Sequence, residues 1–458
     1  MDIKYTDEQQ NAIDNCVSFI KNKTDKRKWY TLTGPPGSGK TVSVLGVLEQ
    51  FQGKMIAACA ISHVATNILK DHLSSLRVET LTIAQLTGSS PTKTTKNIEF
   101  HINPRMSRIQ NFDIILIDEC SMISNPMFDV LLNMKRSDTK LIFIGDKYQL
   151  PPPKDGKDSP SLKRIDSELT KIMRFEGPIS EVVTETKQQL LNLENGLAAN
   201  VHFMNTKFGQ TGRKSKMVID TGYIFLKQST DLIDAFIKEY NSDPTNLNNT
   251  RMLLFRNEYV DTANNAIRKR LYGDNLAQFE VGEMIVSKGG FRKGKQNLVY
   301  NRETFRVIKI EEGYMVSGVP CINLVLDPKP HSPGKILTPS IRENGINIFN
   351  RILSEKKRRA EDTKNWTISH DFKSQFSWWD YTYAQNLYLA QGKTYNSVFL
   401  IESEIHGVKP LQIKQKLQAL YVGLSRAKKR LYIYNKKYKS DGTSCINKES
   451  FKELFYNR

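Results

Sequence analysis

Apolar residues along this chain follow two rhythms. Short unbroken runs such as Ile114-Ile115-Leu116-Ile117 and Leu141-Ile142-Phe143-Ile144 predict strands buried on both faces. Other stretches carry apolar residues at helical spacing; Val42 to Phe51 is one, and Thr6-Asp7 caps the start of another. In the second half, Thr250 to Asn257 is a strand ending in polar residues, followed by a helical run to Leu271. Gly282–Ser287, Thr304–Ile310 and Cys321–Leu326 alternate like half-buried strands, and Val398–Ile401 and Leu431–Tyr434 are apolar again. The pattern predicts an α/β protein: a first domain over residues 1–175, a second over 176–275 and 370–458, and an insertion at 276–369. That insertion reads as a small β-barrel with an irregular extension, because the pattern degrades between Pro328 and Lys373. Within the first domain, Gly88 to Lys96 is turn-rich and Ile98, Phe100 and Ile102 then alternate, which predicts a hairpin at about 87–105.

The strand-like run ending at Thr33 leads into Gly34-Pro35-Pro36-Gly37-Ser38-Gly39-Lys40-Thr41, and a helical pattern leads out. This is G-x-x-x-x-G-K-[ST], whose backbone N–H groups converge on an anion at a helix N-terminus. Lys40 adds charge for the β- and γ-phosphates, and Thr41 offers a hydroxyl to Mg²⁺. With both flanks in place, a chance Gly-rich turn is the weaker reading. Asp118 and Glu119 close the run at 113–117, where ligands sit in open α/β sheets. Asp118 is placed to hold Mg²⁺ and Glu119 to activate a water, although paired acids at a strand end also serve as a helix cap. Gln149 lies just beyond the next strand and could sense a γ-phosphate. Gln9 could read adenine, or could simply belong to a helix start.

Charge and cysteine usage narrow the setting. The 458 residues carry 67 Lys and Arg against 48 Asp and Glu, a net charge of +19, which favours a polyanionic partner. Five scattered cysteines without a C-x-x-C pair argue against a disulfide framework and a zinc site, and for a reducing compartment. No apolar run approaches the length of a membrane span and the first residues form no signal peptide, so the expected location is cytoplasmic (a host cytoplasm for a viral chain).

Taken in order, these runs resemble the motifs of superfamily 1 helicases of the RecD/Dda-like group. Thr6–Ala12 is similar to the adenine-reading segment, Gly34–Thr41 to motif I, Ala60–Asn67 to motif Ia, Asp118–Met122 to motif II and Gly145–Leu150 to motif III. Leu169–Arg174 resembles motif IV, and Leu420-Tyr421-Val422-Gly423-Leu424-Ser425-Arg426-Ala427-Lys428 closely matches motif VI. The resemblance runs from residue 6 to residue 434. It implies two RecA-like P-loop motor domains in tandem, a pin hairpin in the first and a small β-barrel in the second. Two positions depart from it. Motif Ib lacks its His at Thr82-Ile83-Ala84-Gln85, and motif V reads Asn386-Leu387-Tyr388-Leu389-Ala390-Gln391-Gly392, with Tyr388 and Leu389 where His and Lys are usual.

The resemblance implies a Mg²⁺- and ATP-dependent DNA helicase moving 5′ to 3′ on single-stranded DNA. Lys40, Asp118, Glu119, Gln149, Arg174 and Arg426 would carry the chemistry, Arg426 as arginine finger and Arg174 at the γ-phosphate. Gln9, Gly34–Thr41, Gln391 and Gly392 would bind nucleotide, with Thr41 and Asp118 on the metal. DNA contacts are implied at Ser62, His63 and Thr82 in the first domain and at Asn257, Asn386 and Tyr388 in the second. Phe100 would be the wedge, or would anchor the hairpin. The partners are single-stranded DNA and duplex junctions, with a single-strand-binding protein or replisome components beside them. Trp366, Trp378 and Trp379 either stack bases or pack a core, and Lys356–Arg359 is either a nucleic-acid contact or a solvated helix face. Two alternatives stay open: an RNA helicase of the same superfamily, and a regulatory nucleotide switch that binds nucleic acid without unwinding.

Overall fold

The computed structural model describes residues 4–93, 98–152, 157–173, 177–197, 215–226, 229–243, 249–294, 296–329, 331–332, 334–406, 408, 411–434, 451–452 and 454. The chain forms two compact units, residues 1–232, 252–257 and 385–454 in one, and residues 233–251, 258–384 and 455–458 in the other.

The first unit begins with α1 (Asp7–Lys21), β1 (Tyr30–Thr33), α2 (Lys40–Leu48), β2 (Ile56–Ala60), α3 (His63–His72), β3 (Glu79–Thr82) and α4 (Ile83–Thr87). The hairpin β4 (Ser89–Lys93) and β5 (Ile98–Ile102) follows, then β6 (Ile114–Ile117), α5 (Asn125–Met134), β7 (Lys140–Gly145) and β8 (Ser167–Glu168). Six of these strands form a sheet in the order β3-β2-β6-β7-β1-β8, with parallel pairing throughout. Strand period two explains why the apolar runs are unbroken. Ile114 and Leu116 pack with Ile13, Val44 and Leu48 on one face; Ile115 and Ile117 pack with Leu86, Phe128 and Leu131 on the other. The order places β6, β7 and β1 side by side, so the segments leaving their carboxyl ends share one edge.

A second six-stranded sheet runs β19-β11-β20-β21-β10-β9. Its strands are β9 (Lys216–Val218), β10 (Thr221–Leu226), β11 (Thr250–Leu254), β19 (Ala384–Asn386), β20 (Tyr395–Ile401) and β21 (Ala427–Tyr434). The pairs β10–β21 and β20–β21 are parallel, and β9 turns back antiparallel on β10. Helices α6 (Pro178–Glu194), α7 (Ser229–Asn241), α8 (Asn257–Tyr272), α11 (Leu387–Ala390), α12 (Glu402–His406) and α13 (Ile413–Leu424) belong to this half of the chain. Val182 and Leu190 of α6 and Leu417, Leu420 and Leu424 of α13 share one core with Val398, Leu400, Leu431 and Ile433. Tyr148 and Leu150, from the segment after β7, are buried in that same core. The fold is therefore α/β, as the pattern predicts, with the two RecA-like sheets that the resemblance implies.

In the second unit, β12 (Met284–Ser287), β15 (Thr304–Val316), β16 (Val319–Leu326), β17 (Ile336–Ile341) and β18 (Trp379–Tyr381) form an antiparallel sheet, ordered β17-β16-β15-β12-β18. Strands β13 (Phe291–Lys293) and β14 (Gln296–Val299) form a separate ribbon. The insertion expected as a small barrel is thus a five-stranded antiparallel sheet plus a ribbon. Residues 328–373, irregular by pattern, hold β17 and two helices, α9 (Ile346–Thr363) and α10 (Thr367–Ser374), packed through Phe349, Leu353, Phe372 and Phe376. Trp378 meets the Phe349 ring edge-on and Trp379 the Phe305 ring, so both pack cores, whereas Trp366 is exposed. Lys357, Arg358 and Arg359 lie on the exposed face of α9. Among the described residues no helix is long and apolar enough to cross a membrane.

Candidate functional site

Three segments meet at the carboxyl edge of the first sheet. The phosphate-type loop leaves β1, turns at Gly37 (φ +80°) and Gly39 (φ +87°), and enters α2 at Lys40. Gly39 has to be glycine twice over: its φ is left-handed, and a Cβ there would stand 2.1 Å from Nε2 of Gln9. Gln9 is buried and engaged at both ends of its amide. Its Oε1 accepts from Thr6 N (3.0 Å) in a capping box, and its Nε2 donates to the Ser38 carbonyl (3.1 Å). The residue proposed to read adenine thus also braces the loop. Lys40 Nζ donates to the carbonyls of Gly34 (2.7 Å) and Pro35 (3.0 Å), so its charge sits inside the loop. Burial pushes the Lys40 ammonium down, against the opposing pull of Asp146, Glu119 and Asp118. Thr41 follows in the first turn of α2.

Asp118 and Glu119 leave the end of β6. The Glu119 N–H donates to Asp118 Oδ1 (2.9 Å), and Glu119 is held at φ +53°, an uncommon conformation for a side-chain-bearing residue. Burial raises both carboxyls. The neighbouring Asp118 raises Glu119 further, while the Arg426 guanidinium and Lys40 draw it back. From the end of β7, Asp146 accepts from Tyr148 N (3.0 Å) and Gln149 N donates to the Asp146 carbonyl (3.2 Å). Gln149 is buried.

The second sheet contributes to the same edge. Gln391 Nε2 donates to Gln149 Oε1 (3.3 Å), and a Cβ on Gly392 would lie 3.2 Å from Glu119 Oε1. Tyr421 donates its hydroxyl to Asp146 Oδ2 (2.8 Å). Arg426, 2 % exposed, follows the end of α13 and is fixed by bonds to the carbonyls of Val422 (3.2 Å) and Lys393 (3.2 Å) and to Ser425 Oγ (2.9 Å). Arg174 lies outside the described residues; just before it, Met173 N donates to the Gly37 carbonyl (2.7 Å).

The site fits a nucleoside triphosphate. Ser38 Oγ, Glu119 Oε2 and Gln391 Oε1 are buried polar atoms without a partner, spread over the loop, the paired acids and the second sheet. A small hard cation held largely by phosphate oxygens needs few protein donors, and the Thr41 hydroxyl and Asp118 carboxylate are of the right kind. Among the described residues no cluster of three or more His, Cys, Asp and Glu forms a self-sufficient metal site.

The residues expected at DNA sort into two groups. Ser62 and Thr82 are helix N-caps, accepting from Ala65 N (3.2 Å) and Gln85 N (3.1 Å). His63 follows Ser62, and burial lowers its imidazole. Asn386 caps α11 through Tyr388 N (2.9 Å) and donates to Phe255 O (2.6 Å) and Asn257 Oδ1 (3.0 Å), while the Tyr388 ring packs 5.9 Å from that of Phe255. Asn257, Asn386 and Tyr388 are therefore brought together. In the hairpin, the backbone of Phe100 pairs with Pro91. Sequence reading passed over Asp146 and Tyr421 as actors, although both stand inside the motifs.

These elements place a G-x-x-x-x-G-K-T loop, paired acids and a buried glutamine at one sheet edge, met there by residues that follow the second sheet. A family described as AAA domain matches residues 4–207. The ATP-dependent DNA helicase dda of Enterobacteria phage T4 is 26% identical over 460 residues, covering 92% of this chain and 97% of that protein. The uncharacterized protein R530 of Acanthamoeba polyphaga mimivirus is 26% identical over 326 residues, 64% of this chain and 62% of that one. A crystal structure of a Bacteroides Pif1 helicase in complex with ADP-AlF3 and ssDNA is 17% identical with a TM-score of 0.46, covering 98% of this chain and 96% of that one. Over nearly its whole length the chain is thus similar to an ATP-dependent DNA helicase, in line with the resemblance that its motifs carry.

Proposed function

We propose that this chain is an ATP-dependent DNA helicase that moves 5′ to 3′ on single-stranded DNA and unwinds duplexes, using Mg-ATP hydrolysis. The observation that carries the proposal is the composition of the site: Glu119 belongs to the first sheet, and Gly392 of the second stands against it. Hydrolysis at such a site depends on how the two sheets lie, and a dependence of that kind is what lets ATP turnover move a gripped strand.

Lys40 and the loop N–H groups hold the phosphates, and Thr41 and Asp118 would hold the magnesium. When bound, the ion neutralises phosphate charge. Glu119 orients a water and accepts its proton, a role that its upward-shifted carboxyl suits. Arg426 stabilises the charge that develops on the transferred group, an effect worth about 10³ to 10⁵ in rate. Its guanidinium already acts electrostatically on both Glu119 and Lys40. Gln149, bonded to Gln391, and Arg174 would sense the γ-phosphate. In the altered motif V, Asn386 and Tyr388 tie the segment to Phe255 and Asn257, so that DNA contact there would reach Gln391 and Gly392 along one short stretch. The hairpin around Phe100 would be the wedge, and polarity follows the resemblance to dda.

ATP turnover with and without single-stranded DNA or RNA tests this reading. Stimulation by single-stranded DNA is expected, and RNA-only stimulation would replace the substrate. Turnover indifferent to any nucleic acid would remove the motor.

A further inference from the structure

Asp146 and Tyr421 stand 275 residues apart in sequence and meet in a buried hydrogen bond of 2.8 Å. Asp146 is 1 % exposed and spends both carboxylate oxygens inside the protein, Oδ1 on the Tyr148 N–H and Oδ2 on the Tyr421 hydroxyl. Its own carbonyl accepts from Gln149 N. Asp146 is thus the pivot of the turn that presents Gln149. On the other side, the Tyr421 carbonyl accepts from Ser425 N (3.1 Å), and Ser425 Oγ accepts from Arg426 Nη2 (2.9 Å). A continuous line of bonds therefore joins the turn after β7 to the guanidinium after α13. The ring of Tyr421 packs independently of its hydroxyl, edge-on to Tyr148 at 6.2 Å.

We infer that Tyr421 is a positioning residue for hydrolysis: its hydroxyl fixes the Gln149 turn of the first sheet to the Arg426 end of α13 in the second. A buried carboxylate missing one donor is costly, so without the hydroxyl the turn would shift to find another partner. That shift would carry Gln149 with it and disturb its side-chain bond to Gln391. The ring contacts would stay, so the loss falls on alignment and not on the core. The inference rests on the proposed DNA-stimulated ATPase and deepens it.

Tyr421→Phe removes the hydroxyl alone. DNA-stimulated kcat should fall about tenfold, the size of one charge-assisted hydrogen bond, with the KM for ATP nearly unchanged and the melting midpoint lowered by only a few degrees. Asp146→Asn, with one acceptor oxygen for two donors, should fall similarly, and the double variant should fall no further than the worse single one. Tyr421→Phe within twofold of the wild-type kcat, additive losses, or a loss matched by a collapsed melting transition would each overturn the inference. A wild-type enzyme without DNA stimulation would instead overturn the proposed function itself.

Discussion

A Cβ placed on Gly392 would lie 3.2 Å from Oε1 of Glu119, so the second sheet reaches the carboxylate proposed to activate water through a glycine. Gly392 has φ +73°, which a side chain tolerates poorly, and a methyl group there would press on Glu119. Gly392→Ala should lower stability by about 1 kcal/mol. Because misplacement of a reacting group is costly, kcat should fall about ten- to hundredfold, more than the stability change alone implies. Melting curves and steady-state ATP turnover measured on the same preparation check the two effects.

Glu119→Gln should keep ATP binding and lose turnover by about 10² to 10⁴, since an amide cannot take a proton from water. The sign of the pH effects follows from the raised Glu119 carboxyl, whose causes are burial and Asp118. Its charged form is the base, so wild-type kcat should fall on the acid side as this carboxyl takes up its proton. Folding binds that proton more tightly, so the contribution of Glu119 to stability is present below the unfolded pKa and is lost as pH rises through the folded one. Glu119→Gln should therefore gain thermal stability over wild type on the alkaline side of that window. A variant that melts lower than wild type throughout would contradict this.

Much of the motor was legible because its strands are buried on both faces. Ile114–Ile117 and Leu141–Gly145 needed no partner to be identified, and the glycines at 37 and 39 announced their turns. Helices α9 and α10 were missed for a physical reason. The buried positions Phe349, Leu353 and Ala360 keep helical spacing, but Lys356–Arg359 interrupts it and hides a narrow apolar stripe. The tandem tryptophans have cores as partners, which local sequence does not reveal. Long-range polar pairs were the least legible. Arg268 and Glu283 form a buried ion pair at 2.6 Å, with Tyr383 donating to the same carboxylate from 100 residues away. The bond between Asp146 and Tyr421 spans both sheets. Gln9 shows a further limit: its motif names a base contact, but not the bonds by which its amide also ties Thr6 to Ser38.

The proposed helicase is a directional motor driven by a site shared between two sheets. Strand displacement with 5′-tailed and 3′-tailed DNA duplexes, run beside ATP turnover in the same reactions, tests it most directly. Unwinding should require ATP and a 5′ single-stranded tail, and Phe100→Ala should cut unwinding much more than turnover. Efficient unwinding of 3′-tailed duplexes alone would contradict the polarity, and DNA-stimulated turnover with no unwinding of either substrate would contradict the helicase.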